Sequence, residues 1–306
     1  MFAKIFHATE QSPLTAEGCS PADVDLLRKF QVDSKPTPGF VTDFVGSKTD
    51  VRFGTHMTNL AGAVERKLPL PGSFHADAIK WVGVLRAVED ATNETFVMAE
   101  IGAGYGPWIA SAWKALCKKV SNPKFRAVAV EADTQHCDWI RRHAEANQIA
   151  KENLKIIEAA ATVDGRPVFF PIIDPAADWG AAASETAEKT DYRGFQLDHR
   201  PVAGISLTDA LNSHERYDLV HVDIQGSELS VIPASLDCLN AKVQRLVIGT
   251  HSRKIEGDLL TSLSAVGWIL ENEKPCQFAF NGSGEPITER HVRIDGTQVW
   301  RNSRVV

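Results

Sequence analysis

The stretch Phe96-Val-Met-Ala-Glu-Ile-Gly-Ala-Gly-Tyr-Gly-Pro-Trp108 decides how this chain folds. Its apolar run ends in an acid, Glu100, and three glycines at alternate positions, Gly102, Gly104 and Gly106, then lead into a helical pattern that begins near Trp108. The order is strand, glycine turn, helix. Glycine lets a backbone turn tightly and lets a ligand lie almost against the main chain, and the helix start behind it offers unpaired N–H groups. The segment predicts a cofactor cradle, with a purely structural turn as the plainer alternative.

A dinucleotide fingerprint spaces its glycines G-x-G-x-x-G and sets the pyrophosphate on the helix N-terminus. Here the spacing is G-x-G-x-G, with a carboxylate two residues before the first glycine. That carboxylate would repel a pyrophosphate and suits a ligand carrying an ammonium group. S-adenosylmethionine carries one, beside its sulfonium. The motif resembles motif I of the class I S-adenosylmethionine-dependent methyltransferases, which makes Glu100, Gly102, Ala103, Gly104, Tyr105 and Gly106 candidate cofactor-binding residues.

Composition sets the frame around this motif. A chain of 306 residues, 43% apolar and 24% charged, can bury a sizeable core in one large domain or a catalytic domain with a smaller attachment. No apolar run approaches the roughly 18 residues of a membrane span, and Lys4, His7 and Glu10 interrupt the N-terminal apolar residues where a signal peptide would be continuous. The expected location is the cytoplasm. A net charge of −6 disfavours a surface for nucleic acid. The five cysteines are scattered and form no C-x-x-C pair, so reduced thiols are expected rather than a disulfide framework or a zinc knuckle.

Downstream, residues 125–131 form a second apolar strand ending in an acid, Glu131, followed by Ala132. A carboxylate there can accept hydrogen bonds from both ribose hydroxyls of a nucleoside; the alternative is a strand-end acid beside the more obvious helix cap, Asp133. After a helix over 134–146, the third strand at 154–160 ends in small residues, Ala159, Ala160 and Ala161, which leave room for a flat adenine ring or serve only as packing. Residues 168–173, flanked by Pro167 and Pro171, suit an edge strand. The irregular stretch 174–200, with Trp179-Gly180 and Asp191-Tyr192-Arg193, is either a second wall of the substrate site or a disordered insertion. A fourth strand at 217–223 and a fifth at 245–251 deliver Asp223 and His251 to the same sheet edge, while His221 sits mid-strand as a satisfied core residue. A helix over 258–266 ends at Gly267, and segments 276–281 and 290–301 around Asn281-Gly-Ser-Gly284 predict an antiparallel hairpin.

Strand and helix alternate, which implies a parallel sheet with helices on both faces. The expected fold is α/β and Rossmann-like, a mostly parallel seven-stranded sheet with an antiparallel strand from the terminal hairpin, as in class I methyltransferases. Residues 76–306 form the S-adenosylmethionine-binding domain. Residues 1–75, punctuated by Pro13, Pro21, Pro36, Pro38, Pro69 and Pro71, are an N-terminal extension packed on that domain or a lid over a substrate pocket, with the aromatic stretch 39–46, His56 and Asn59 as its cover.

The turn Asp223-Ile-Gln-Gly-Ser-Glu228 narrows the resemblance. Its D-x-x-G-x-E pattern, carried by Asp223, Gly226 and Glu228, with the G-x-G-x-G cradle and the acid at Glu131, is similar to the FkbM-family methyltransferases over roughly residues 95–270. Glu100 stands where many members carry aspartate, and the family assigns no role to Thr250-His251-Ser252. The resemblance implies transfer of a methyl group from S-adenosylmethionine to a hydroxyl, commonly on a sugar or natural-product scaffold. The partner is then a small molecule, with neither nucleic acid nor membrane, and a homo-oligomer is compatible with the sequence.

An alcohol is a weak nucleophile, so a base or a metal must activate it. His251 is the preferred base, because an unperturbed imidazole titrates near neutrality, and Asp223 orients it or touches the ligand. Alternatively, Asp223, Glu228 and His251 ligate a divalent metal such as Mg²⁺. The plainer reading makes His251 a hydrogen-bonded strand-end residue and Glu228 a cap or ion-pair partner. Two other classes share these features: an NAD-dependent oxidoreductase, which would use the same sheet and Glu131, and a non-catalytic S-adenosylmethionine-binding module.

Overall fold

The apolar runs become strands of one sheet in the computed structural model, which describes residues 18–187, 196–279 and 291–305. Lys4, His7, Glu10 and Pro13, the Asp191-Tyr192-Arg193 segment and the Asn281–Gly284 turn lie outside the described residues. Helix α1 (Pro21–Phe30) is followed by β1 (Phe40–Thr42) and β2 (Lys48–Asp50), an antiparallel pair, and by 3-10 turns at Val51–Phe53 and Thr55–Leu60. Then come α2 (Ala78–Asp90), β3 (Thr95–Ile101), α3 (Pro107–Lys119), β4 (Lys124–Glu131), α4 (Thr134–Ala146) and β5 (Leu154–Glu158). Four short strands, β6 (Ala160–Ala161), β7 (Val168–Pro171), β8 (His199–Val202) and β9 (Gly204–Ile205), make two small pairs beside the sheet. The second half runs α5 (Leu207–Ala210), β10 (Leu219–Val222), α6 (Glu228–Ala234), α7 (Leu236–Lys242), β11 (Arg245–Thr250) and α8 (Arg253–Ala265). It closes with β12 (Trp268–Lys274), β13 (Gln277–Phe278), β14 (Val292–Ile294) and β15 (Gly296–Asn302).

The seven-stranded sheet has the order β12-β15-β11-β10-β3-β4-β5. Only β15 runs against its neighbours β11 and β12, and the other pairings are parallel. This is the Rossmann-like class I methyltransferase fold. Strand order reverses between β3 and β10, and ligands of open α/β sheets bind beyond the strand ends at such a point.

Period-two alternation explains why both faces are covered. Met98 of β3, Ala127 and Ala129 of β4, Leu219 of β10 and Val247 of β11 join one core with α2 and α3. Their neighbours Ala99, Ile101, Val128, Val130, Val220 and Val222 join the opposite core with Ile232 and Leu259. Asp77 caps α2, and Asp133 caps α4 by accepting hydrogen bonds from the N–H groups of Gln135 and His136.

The sequence reading differs from the structure at two element boundaries. Helix α8 begins at Arg253 rather than near 258, because Ser252 Oγ accepts a hydrogen bond from Ile255 N at 3.1 Å and caps it there. On its outer side β15 pairs with β12, whose residues Glu271, Asn272 and Glu273 disguise a strand as a polar segment. Their polarity is satisfied inside the fold: Glu271 pairs with Arg245 and Arg301, and Asn272 accepts from Arg86 at 2.9 Å. The arms expected over 276–281 and 290–301 contain the short β13–β14 pair and β15.

The described part of the N-terminal extension is built into the domain. Leu27 and Phe30 of α1 and Phe44 lie in the same core as α2, and buried Asp23 is paired with Arg86 and accepts from Asn272 Nδ2 at 3.1 Å. Among the described residues no helix is long and apolar enough to cross a membrane, and all five cysteines are free thiols.

Candidate functional site

Beyond β3 the chain turns through Gly102, Gly104 and Gly106 with φ of 72°, 55° and 75°. Gly102 N and Ala103 N both donate to Val130 O, at 2.9 and 3.1 Å, stitching the turn to the tip of β4. A Cβ at Gly102 would lie 1.9 Å from Asp223 O, so only glycine fits between the two strand ends. Gly106 occupies the cap position of α3 without a side chain to serve it. Glu100 does that work: its Oε2 accepts from Ile109 N at 2.9 Å and its Oε1 from Trp108 N at 3.3 Å. Burial pushes the Glu100 carboxyl up to about 8, offset in part by those two N–H groups and reinforced by the Asp223 and Glu131 carboxylates.

A cavity of about 440 Å³ opens over the tips of β3, β4 and β10, within the range of small-molecule sites. Of the residues expected to bind a cofactor, all but Gly106 line it. Glu131 is buried; its Oε2 accepts from Gly104 N at 2.7 Å and its Oε1 from Asp133 N at 2.8 Å. Each carboxylate oxygen has capacity for a further donor. Ala132, Ala159, Ala160 and Ala161 give an adjacent smooth wall. The part of the irregular stretch that is described contributes Trp179, which stacks on His136 with centroids 4.7 Å apart and an interplanar angle of 4°. Its ring edge lies 3.1 Å from where a Cβ of Gly104 would be.

Asp223 and His251 do meet, in an arrangement different from a base on the cavity wall. His251 does not line the cavity. The residue is half-buried with its side chain 7% exposed, with Nε2 3.2 Å from Asp223 Oδ1 and Nδ1 3.1 Å from Glu228 Oε1, the latter an ion pair out of line for a hydrogen bond. Burial opposes its charge, but the Glu228 and Asp223 carboxylates outweigh that and hold the imidazole well above its ordinary value. His251 thus stands between two carboxylates, because Glu228 folds back onto it from the turn. Glu228 in turn accepts from Ile224 N at 2.8 Å and Gly226 N at 2.9 Å, holding a turn in which Gln225 and Gly226 have positive φ. That explains physically why an acid stands five residues after Asp223.

Asp223 faces the cavity and accepts from Lys80 Nζ at 2.6 Å. Burial disfavours both charges, yet Asp223 and Asp77 hold the Lys80 ammonium above its usual range, and Lys80 with His251 carries the Asp223 carboxyl well below its own. Asp223, Glu228 and His251 bring potential ligand atoms within 4.8 Å of one another. Asp223 is also paired with Lys80, and each Glu228 oxygen accepts from one backbone N–H group and keeps capacity for a further partner.

Several further residues reach the cavity. His75 from the extension and Trp108 from α3 pack together at a centroid distance of 5.3 Å, and Lys80 sits in the first turn of α2. His56, named in the sequence as possible cover, and Phe74 of the extension also reach the wall, whereas His75 and Lys80 had no role assigned from the sequence. His221 is not the satisfied core residue expected: it is buried and lines the cavity, yet neither ring nitrogen has a hydrogen-bond partner among the described residues.

No protein-family model matches this chain. The chain is 29% identical over 283 residues to a protein named "Putative methyltransferase" from Jannaschia sp. (strain CCS1), an alignment covering 90% of this chain and 97% of that one. Among solved structures, the precorrin-6y C5,15-methyltransferase of Geobacter metallireducens GS-15 superposes with a TM-score of 0.41 at 13% identity, over 74% of this chain and 88% of that one. The methyltransferase FkbM of Methylobacillus flagellatus KT gives 0.42 at 13% identity, over 68% of this chain and 44% of that one.

Proposed function

We propose that the protein is an S-adenosylmethionine-dependent methyltransferase that acts on a hydroxyl of a small molecule, in line with its resemblance to FkbM-family enzymes and a sugar or natural-product acceptor. One observation carries this reading: Glu100 and Glu131 converge on a single cavity around a turn of three positive-φ glycines. In this reading Glu131 receives the ribose hydroxyls, the alanines beside it face the adenine, and Glu100 with Asp223 face the ammonium. S-adenosylmethionine supplies an activated methyl group, so the protein's work is alignment of the acceptor and removal of one proton.

Calorimetry with S-adenosylmethionine, S-adenosylhomocysteine and NAD tests this reading. The first two are expected to bind and NAD is not; binding of NAD alone would overturn it. Glu131→Gln is expected to weaken both adenosyl ligands by roughly 10- to 100-fold, the loss of one or two charge-assisted hydrogen bonds.

Glu100 gives a second expected result. With its carboxyl raised to about 8 in the ligand-free protein, it carries a proton at pH 7, and an arriving ammonium favours the charged form. Binding at pH 7 then releases about one proton, and affinity rises with pH up to about 8. Calorimetry in buffers of different ionisation enthalpy measures the release. Proton uptake, or none, would remove Glu100 from the ammonium site.

A further inference from the structure

We propose that His221 takes the proton from the attacking acceptor, an inference that rests on the methyltransferase reading. Burying an imidazole with neither nitrogen bonded is costly, and the cost is removed if a ligand completes the bond. His221 meets that description: it is 2% exposed, both ring nitrogens are without hydrogen-bond partners among the described residues, and it lines the cavity.

Its position follows from the sheet. His221 of β10 is the register partner of Glu100 in β3. Leu219 and Met98, two residues earlier on each strand, share one core, so His221 and Glu100 point to the same face. Glu131 stands on β4, on the other side of β3 from β10. A ligand anchored at Glu131 and crossing the glycine turn therefore directs its far end toward His221. Trp108 lies beside that ring with centroids 5.5 Å apart and also contacts His75.

In the transfer the acceptor oxygen forms a bond to the methyl carbon, the carbon–sulfur bond breaks with its electron pair kept by sulfur, and the hydroxyl proton passes to His221. One positive charge disappears at sulfur as one appears on the imidazole. The net charge of the occupied cavity is therefore unchanged by the transfer.

Sinefungin replaces the sulfur–methyl unit with a carbon bearing an amine, a donor at the place where the acceptor would react. Calorimetry on the whole protein is expected to show sinefungin binding more tightly than S-adenosylhomocysteine. In His221→Leu that preference falls on the order of tenfold, the loss of one hydrogen bond to a charged group, while S-adenosylhomocysteine affinity holds. Should that variant fail to fold, His221→Phe serves. In the wild type, ¹⁵N-histidine spectra should show a His221 ring nitrogen shifting with sinefungin and not with S-adenosylhomocysteine. A preference that survives in the variants, an absent preference in the wild type, or an unmoved His221 signal overturns the proposal. Binding of neither ligand by the wild type overturns the cofactor reading itself, and the proposal with it.

Discussion

Gly102→Ala is expected to abolish binding of S-adenosylmethionine and to destabilise the fold by about 2–5 kcal/mol, the sum of a left-handed non-glycine residue and an overpacked contact. The backbone there has φ of 72°, and the new methyl would meet Asp223 O at 1.9 Å. That carbonyl has little freedom to retreat, because Asp223 N donates to Ile101 O at 2.9 Å and ties the end of β10 to β3. Relief must come from moving the turn, which shifts Gly104 N off Glu131 and distorts the cavity floor. Gly106→Ala is the control: its φ of 75° is similar, but the nearest atom to the added methyl is 3.5 Å away. Its cost should be only the roughly 1–2 kcal/mol of a left-handed residue. Urea midpoints and calorimetry of the two variants give the comparison; equal losses would show that the approach to Asp223 is not the cause.

His251→Gln is expected to destabilise the protein by about 3–5 kcal/mol near pH 6, as removing one partner of a buried ion cluster does. Lys80 still neutralises Asp223 in this variant, so Glu228, which is fully buried, is the charge left uncompensated. The pH dependence separates this role from simple packing. His251 is held well above its unfolded value of 6.5, so its stabilisation is complete below 6.5 and is lost as pH rises toward the folded value. Over that interval the wild type should lose up to about 1.4 kcal/mol of stability per pH unit. The glutamine variant lacks this slope, and the gap between the two proteins narrows as pH rises. Parallel stability curves from pH 6 to pH 9 would show that the buried imidazole is neutral.

How much of this was readable in advance depends on the kind of information involved. The sheet was legible because its central strands, such as Leu219–Val222 and Arg245–Thr250, are short apolar runs broken by glycines and helix caps. The acids at the strand tips were legible for the same reason, since a carboxylate ending a buried strand stands out. Strand β12 was hidden because its polar residues find partners as distant in sequence as Arg86. The state of His251 depends on Glu228 folding back from a turn, which strand spacing does not encode. Lys80 reaches Asp223 across 143 residues of chain, and the isolation of His221 is an absence of partners that appears only once every neighbour is placed.

The cavity draws its wall from two kinds of chain. Glu100, Glu131 and Asp223 come from the tips of sheet strands or directly beyond them, whereas His56 comes from a 3-10 turn and Phe74, His75 and Trp179 from connecting segments, all outside the strand–helix repeat. Strand tips are held in register by the sheet, while connecting segments tolerate substitution and changes of length. Heritable change can therefore accumulate on one side of the cavity without disturbing the other. A lineage descending from such a chain could exchange one small-molecule partner for another by rewriting its loops, and keep the half of the site that the strand tips hold fixed.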